Sequence, residues 1–441
     1  MKRLLSLLLC AVLALFCATT AQAAGVSITL TASEYALHYA FDAGAQDPFV
    51  ILEYTTPAEK GWMMLYSEDG HFEGDVSLAY SGAGGKTSVA LTSARTTGSI
   101  GKASTTLPKA ADYQKPTGKS NAKVMDFVLT ETPEGFHYAF NAIGTDYMLL
   151  YWRSKEQTVT QPVYPDENGH YEGDVVSELT FARTQFTVQV KSGSGSMKKE
   201  ATVRKGYQAP EAPQRQEGRL SGVTVCIDAG HQENGRFVNE PIGPGLSGST
   251  SGKGGMAQGT KTNRRESIVC LEIGMLLRDE LLRQGANVVM TREDQTTFHT
   301  NIERCEIAEA GGAQIMLRLH CNNSSNRSKR GIQVYGPLNS DYAKAVADAD
   351  TYREMGQKLL DAMKTRVGMT LANSTGMVRL NDNYVGNNWA KMMCFLVEMG
   401  YLSNPAEEYL LVTPVYQQWL AEGMADGVYE IAVARGWVQA Q

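Results

Sequence analysis

The chain has 441 residues, is 43% hydrophobic and 20% charged, and carries a formal net charge of −6. Its length predicts about three domains, and its composition is that of a globular protein with buried cores. The negative balance excludes a general electrostatic attraction to nucleic acid or other polyanions, so attachment to one must come from local contacts.

The first 23 residues read as a secretory signal peptide. Lys2 and Arg3 give a basic start, Leu4 to Ala18 is apolar, and Ala21-Gln22-Ala23 is a small-x-small cleavage site. The alternative is an uncleaved membrane anchor. A lipoprotein signal is disfavoured, because Cys10 and Cys17 follow the bulky Leu9 and Phe16. Removing Lys2 and Arg3 would take the charge from −6 to −8. No other stretch is apolar for long enough to span a bilayer, so no transmembrane segment is expected after cleavage. Five cysteines remain (Cys226, Cys270, Cys305, Cys321 and Cys394), with no C-x-x-C pair. An odd number leaves at least one unpaired in a monomer, and the reading adopted is buried small hydrophobes.

Residues 24–112 and 123–207 repeat one another. His38-Tyr39-Ala40-Phe41 recurs as His137-Tyr138-Ala139-Phe140, 99 positions later. Gly70-His71-Phe72-Glu73-Gly74-Asp75 recurs as Gly169-His170-Tyr171-Glu172-Gly173-Asp174 at the same offset, which points to a duplication. Val26, Ile28 and Leu30 alternate with polar residues, as do Phe186, Val188 and Val190, and Asp69-Gly70 and Asn168-Gly169 mark turns. Two small all-β sandwich-like repeats are predicted. Their aromatic residues read as core, and His71 and His170 as structural or exposed. Their role is open between binding a wall glycan or partner and serving as spacers. Residues 208–219, with Pro210 and Pro213, form a linker.

From residue 220 to 441 the pattern alternates strand and helix. Strands are predicted at Val223–Ile227, Asn287–Thr291, Ile315–Leu319 and Met393–Val397. Helices are predicted at Glu266–Gln284, after Thr300 with Glu303 completing a capping box, over about Asp341–Arg366, and from Thr413-Pro414 to about Ala434. The domain is α/β, with a mixed or largely parallel sheet flanked by helices.

Such sheets bind ligands beyond the carboxyl ends of their strands. His231 follows the first strand, His320 ends I-M-L-R-L-H, and Glu398 ends M-C-F-L-V-E; Glu266 opens a helix. Two imidazoles and a carboxylate are the ligand set of a catalytic zinc site with an open position for water, and a further carboxylate suits the water's proton. Each residue has a structural alternative. Either histidine alone could simply be hydrogen-bonded, and Asn263-x-x-Glu266 has capping-box spacing. Glu398 follows four apolar residues, where an unpaired charge is costly.

Taken in order, V-C-I-D-A-G-H, R-R-E-S-I-V-C-L-E-I, V-V-M-T-R-E-D, R-L-H-C-N and V-E-M-G-Y-L-S-N-P resemble the signature of the zinc-dependent N-acetylmuramoyl-L-alanine amidases. The resemblance covers roughly Gly222 to Gly436. It implies that His231, Glu266 and His320 hold Zn2+ and that Glu398 is the catalytic acid/base. It implies an exported hydrolase of peptidoglycan, cleaving the amide between N-acetylmuramic acid and L-alanine, at the cell wall or outer face of a bacterium. Zinc would lower the pKa of bound water to about 7. Arg318 should face the same side as His320, either holding a substrate carboxylate or oxyanion or pairing with a structural acid. Asp228 should orient the His231 loop. The 34 residues between His231 and Glu266, with Glu240-Pro241-Ile242-Gly243-Pro244-Gly245, exceed the spacing of many relatives and read as a loop over the cleft. Two other readings stay open: a zinc peptidase acting within the stem peptide, and a non-catalytic wall-binding protein.

Overall fold

The computed structural model describes residues 19–22, 25–96, 98–113, 120–132, 135–145, 147–153, 157–176, 185–191, 197–204, 209–232, 238–250, 255–368 and 377–440. Most of the expected signal peptide lies outside the described residues. Its Thr19–Gln22 segment pairs antiparallel with Ser27–Ser33 at a sheet edge. The chain divides into two compact units, Met1–Lys205 and Gly206–Gln441.

The first unit is antiparallel β. A sheet containing Ser27–Ser33, Ala36–Asp42 and His71–Ser77 covers one apolar core, where Ile28, Leu30 and Phe41 meet Leu52, Val89 and Leu91. A three-stranded sheet of Ser120–Thr132, Gly135–Thr145 and His170–Val176 covers a second, where Phe136 and Phe140 meet Trp152 and Val188. Tyr39, Phe41, Tyr138 and Phe140 are buried, as alternation requires. The two cores are not separately closed. Gln157–Val163 pairs with Glu59–Tyr66, so the opposing strands of both cores form one eight-stranded sheet. Over the three pairs from Gln157–Gly61 to Val159–Glu59, edge N–H and C=O groups find partners that two free edges would leave to water.

The small sheets carry matching polar ladders on their outer faces. His38 contacts Asp75 at 3.1 Å and Glu73 at 3.3 Å; His137 contacts Asp174 at 2.9 Å and Glu172 at 3.2 Å. His71 lies at a strand start, 2.7 Å from Asp42, which with Glu73 raises its pKa.

In the second unit we number the elements β1 Thr224–Ala229, α1 Glu266–Arg283, β2 Asn287–Met290, α2 Asn301–Ala310, β3 Ile315–Asn322, β4 Gln333–Gly336, α3 Asp341–Val346, α4 Ala349–Val367, β5 Met377–Leu380, α5 Val385–Trp389, β6 Met393–Tyr401, α6 Glu407–Leu410 and α7 Pro414–Ala434. The sheet order is β2-β1-β3-β6-β4-β5. The pairs from β2 to β6 are parallel, β4 runs antiparallel to β6, and β5 parallels β4, so the sheet is mixed. The near-continuous apolar β1, β3 and β6 are buried, as central parallel strands should be.

Local signals placed several boundaries. Thr300 and Glu303 form the expected capping box on α2, and Pro414 opens α7. The single helix expected over Asp341–Arg366 is instead two. Asp348 accepts from the Thr351 N–H at 2.7 Å and starts α4 afresh, an N-cap inside an otherwise periodic run. The linker's described part runs along this unit: Arg278 donates to the Pro210 carbonyl at 3.0 Å, and Arg215 to that of Gly285 at 2.8 Å. Cys226, Cys270, Cys305, Cys321 and Cys394 are buried free thiols. Among the described residues, no helix is long and apolar enough to cross a membrane.

Candidate functional site

The carboxyl ends of β1, β3 and β6 open into a cavity of about 830 Å³, within the range of small-ligand sites. His231, Glu266, His320 and Glu398 all line it. His320 and Glu398 are paired positions on adjacent parallel strands, which puts both side chains in one row. Glu266 arrives from the first turn of α1, and His231 from the loop after β1.

The first three converge. Glu266 Oε1 lies 3.1 Å from His231 Nε2 and 2.9 Å from His320 Nδ1, and the three prospective ligand atoms all fall within 4.8 Å of one another. The imidazole centroids are 4.9 Å apart at 79°. The capping alternative for Glu266 is not what is built: the N-cap of α1 is Arg265, without a side-chain cap bond. Glu266 instead accepts from the Ala257 N–H at 2.7 Å and the Cys321 N–H at 3.1 Å. These bonds aim its carboxylate at the histidines. Burial alone would raise the Glu266 pKa, and the two rings reverse this and hold it low. Burial lowers the His320 pKa despite Glu266, favouring the neutral ring that a metal needs. Two neutral imidazoles and one carboxylate in this cluster fit a divalent metal such as zinc.

Glu398 differs from the other three. Its Oε2 is buried with no hydrogen-bond partner. Burial, reinforced by negative Glu266, pushes its carboxyl up to about 8. A protonatable carboxyl facing the cluster is suited to take up and release a proton near neutral pH.

A second layer positions His231, and the sequence reading did not find it. His231 sits at φ 57°, a left-handed conformation costly for a non-glycine residue. Two buried arginines clamp its loop. Arg304, from the first turn of α2, donates to the carbonyls of Ala229 at 3.0 Å and His231 at 3.2 Å, and to Gln232. Arg292 donates to Ala229 at 2.7 Å and Gly230 at 2.8 Å. Gly230 has no room for a side chain: a Cβ would lie 2.6 Å from His320 Cε1. Arg292 stands in V-V-M-T-R-E-D, and Arg304 is a lone cation among the apolar positions of α2; those were the signals available.

Asp228 is fully buried and binds Arg304, Arg318 at 2.9 Å and the Thr291 hydroxyl at 2.8 Å. Burial would raise its pKa, and the two arginines drive it far down instead. It therefore reaches the His231 loop only through Arg304. Arg318 lines the cavity and faces the same side as His320, with its guanidinium held by Asp228 and, at 2.7 Å, by Asn301 Oδ1. Arg318 thus pairs with a buried acid, Asp228, while lining the cavity.

The described part of the long insert forms a cavity wall through Val238, Glu240 and Thr250. Glu240 is buried and accepts from the Ile302 N–H at 2.8 Å and the Asn301 side chain at 2.7 Å, at the N-terminus of α2. Trp389 donates to the Pro241 carbonyl at 2.9 Å, and Asn388 to that of Ile242 at 3.0 Å. Gly245, at φ 72°, packs where a Cβ would collide with the Asp341 carboxylate.

Residues 225–430 match the family model Amidase_3, N-acetylmuramoyl-L-alanine amidase. Over these residues the chain is similar to this amidase family. The match thus takes in all the elements that build the site. A germination-specific N-acetylmuramoyl-L-alanine amidase of Bacillus subtilis is 26% identical over 231 residues, 49% of this chain and 83% of that protein. The probable cell wall amidase LytH of Staphylococcus aureus is 27% identical over 218 residues, 48% of this chain and 60% of LytH. The crystal structure of an N-acetylmuramoyl-L-alanine amidase from Clostridium difficile 630 aligns with 48% of this chain and 96% of its own, at 23% identity and TM-score 0.38. Ami1 of Mycobacterium smegmatis aligns with 49% and 99%, at 17% identity and TM-score 0.43.

Proposed function

We propose that this amidase-like domain hydrolyses the amide between N-acetylmuramic acid and L-alanine in peptidoglycan, with zinc held by His231, Glu266 and His320. One observation carries the reading: three donor side chains from separate elements meet within 4.8 Å, and an unpartnered carboxyl, Glu398, lines the same cavity. Bound zinc would activate water and polarise the scissile carbonyl. Glu398 takes the proton of the attacking water and passes it to the departing L-alanine amine. The two histidines supply neutral donors, and Glu266 the single negative charge, so the centre stays net positive. Arg304 and Arg292 hold the His231 loop, and Arg318 with Asp228 braces the cavity floor behind it.

The rest of the chain fits an enzyme delivered outside the cell. Residues 1–23 act as the signal peptide. Residues 24–112 and 123–207 are duplicated β modules that hold the protein on its insoluble substrate, 208–219 is the linker, and 220–441 is the catalytic domain. The insert after His231 narrows access to the cleft.

Digestion of purified peptidoglycan by the full chain, with products read by mass spectrometry, tests the activity. Intact stem peptides with a new L-alanine amine are expected, and a chelator should abolish their release. Fragments cut within the stem would mean a peptidase instead. His231→Ala and His320→Ala should each lose zinc, measured by atomic absorption, along with turnover. Retention of stoichiometric zinc by either variant would remove that residue from the ligand set.

A further inference from the structure

The outward face of the eight-stranded sheet in the N-terminal unit carries a charge pattern opposite to that of the chain. Register aligns one row of side chains across six adjacent strands: Arg153, Thr158, Lys60, Thr55, Ser88 and Ser104. At about 4.8 Å per strand, the row runs for roughly 24 Å. Lys102 stands in the next row on one side and Lys86 in the next row on the other. Lys60, Lys86 and Lys102 border a concavity of about 710 Å³ lined also by Thr55, Ser88, Ala90, Ser104 and the ring of Trp62.

Three lysines thus share this concavity with one carboxylate, Glu53, and Arg153 ends the row. None of Lys60, Lys86, Lys102 and Arg153 has an ion pair among the described residues. All four are exposed. The acidic groups of this unit's small sheets are elsewhere: Asp42, Glu73 and Asp75 lie on one outer face with His38 and His71, and Glu172 and Asp174 on the other with His137. A chain of net charge −6 has therefore sorted its charges so that one elongated face stays positive. Exposed lysines without ion pairs add little to stability, since exposed charges gain little from folding.

We propose that this face is a binding track for an extended strand of the wall polymer that the catalytic domain is proposed to cut, meeting its sugar hydroxyls and the free carboxylates of its stem peptides. This rests on the wall-directed reading of the protein. The length of the row suits a linear polymer rather than a small molecule. Its alternation of cations with threonine and serine hydroxyls suits a sugar chain: hydroxyls both donate and accept, as sugar hydroxyls require, while the lysines meet carboxylates. A phosphodiester polymer offers mainly acceptors and would be matched by cations alone. The track also gives the local contacts that the net charge demands, and its binding should weaken with salt.

The test uses the full chain, catalytically silenced by Glu398→Gln, and sedimentation with insoluble peptidoglycan from which phosphate-containing polymers have been stripped. The background chain should bind, with affinity falling as salt rises. In that background, K60E/K86E/K102E should bind at least tenfold more weakly, with an unchanged circular dichroism spectrum and unfolding midpoint. Milder Lys→Gln changes at the same three positions should fall between. Equal binding by the charge-reversed chain would overturn the proposal. So would binding that needs the phosphate polymers, or no binding to the stripped wall. Turnover of a soluble muramoyl-peptide by the chain with Glu398 intact is scored separately. Its absence would sink the catalytic reading while leaving the binding result to stand or fall alone.

Discussion

Replacing Arg304 by Met tests whether the His231 loop is held or merely happens to lie where it does. The side chain is buried and bonds to the Asp228 carboxylate, to the carbonyls of Ala229 and His231, and to Gln232. Removing one member of a buried ion pair costs about 3–5 kcal/mol, because the remaining charge is stranded. Asp228 keeps Arg318 at 2.9 Å, so the lower end, about 3 kcal/mol, is expected. The second consequence falls on His231. At φ 57° it sits in a region that costs a non-glycine residue about 1–2 kcal/mol, and the freed loop should relax from it. A ligand that has lost its support typically weakens metal binding about 10–100-fold. Stability is read by denaturant unfolding of the metal-free full chain, and affinity by competition with a chromophoric chelator. Arg304→Lys retains charge without the planar fork, so it should recover part of the stability and little of the affinity. A stability loss near 3 kcal/mol with unchanged zinc affinity would refute the positioning argument. No loss in either would refute the ion-pair argument as well.

Glu398→Gln should keep zinc, measured by metal content, and lose about 10²–10⁴-fold in turnover of purified wall; full activity would remove its acid/base role. Glu240→Ala removes the carboxylate bound to the Asn301 and Ile302 N–H groups at 3.2 and 2.8 Å. A loss of about 1–2 kcal/mol is expected, with faster proteolysis within 238–250, mapped by mass spectrometry; unchanged cleavage would mean the loop is anchored elsewhere. Burial pushes Glu407 up to about 7, although it accepts N–H bonds from Tyr401 and Gly331, both at 2.8 Å. Its folded value lies above its unfolded one, so its contribution is fully present below about pH 4.5 and is lost as pH rises through about 7. That loss is about 3 kcal/mol. Glu407→Gln turns an amide toward one N–H donor and should destabilise the chain at about pH 4.5, where the wild-type carboxyl is protonated in the fold. Its deficit relative to wild type, from unfolding curves, should therefore shrink between pH 4.5 and 8. A deficit that grows would mean the carboxylate is stabilised in place.

The residue order by itself determined the chemistry on offer and much of the local structure. Apolar runs ending in His320 and Glu398, a helix opening at Glu266 and the Thr300–Glu303 capping box depend on neighbours a few positions away, so they can be read along the chain. The short β4 and β5, four residues each, carry too little periodicity to be seen, and Asp348 hid the break between α3 and α4 inside a periodic run. Only the tertiary structure decided what lies beyond that range. Parallel register brings His320 beside Glu398. Asp228 meets arginines from two other elements, Arg304 on α2 and Arg318 on β3. In the N-terminal half, pairing of Thr158 with Lys60 merges two β units into one sheet and lines its cations along a single face. Such partners are chosen by packing and by open strand edges, which leave no mark in the local sequence.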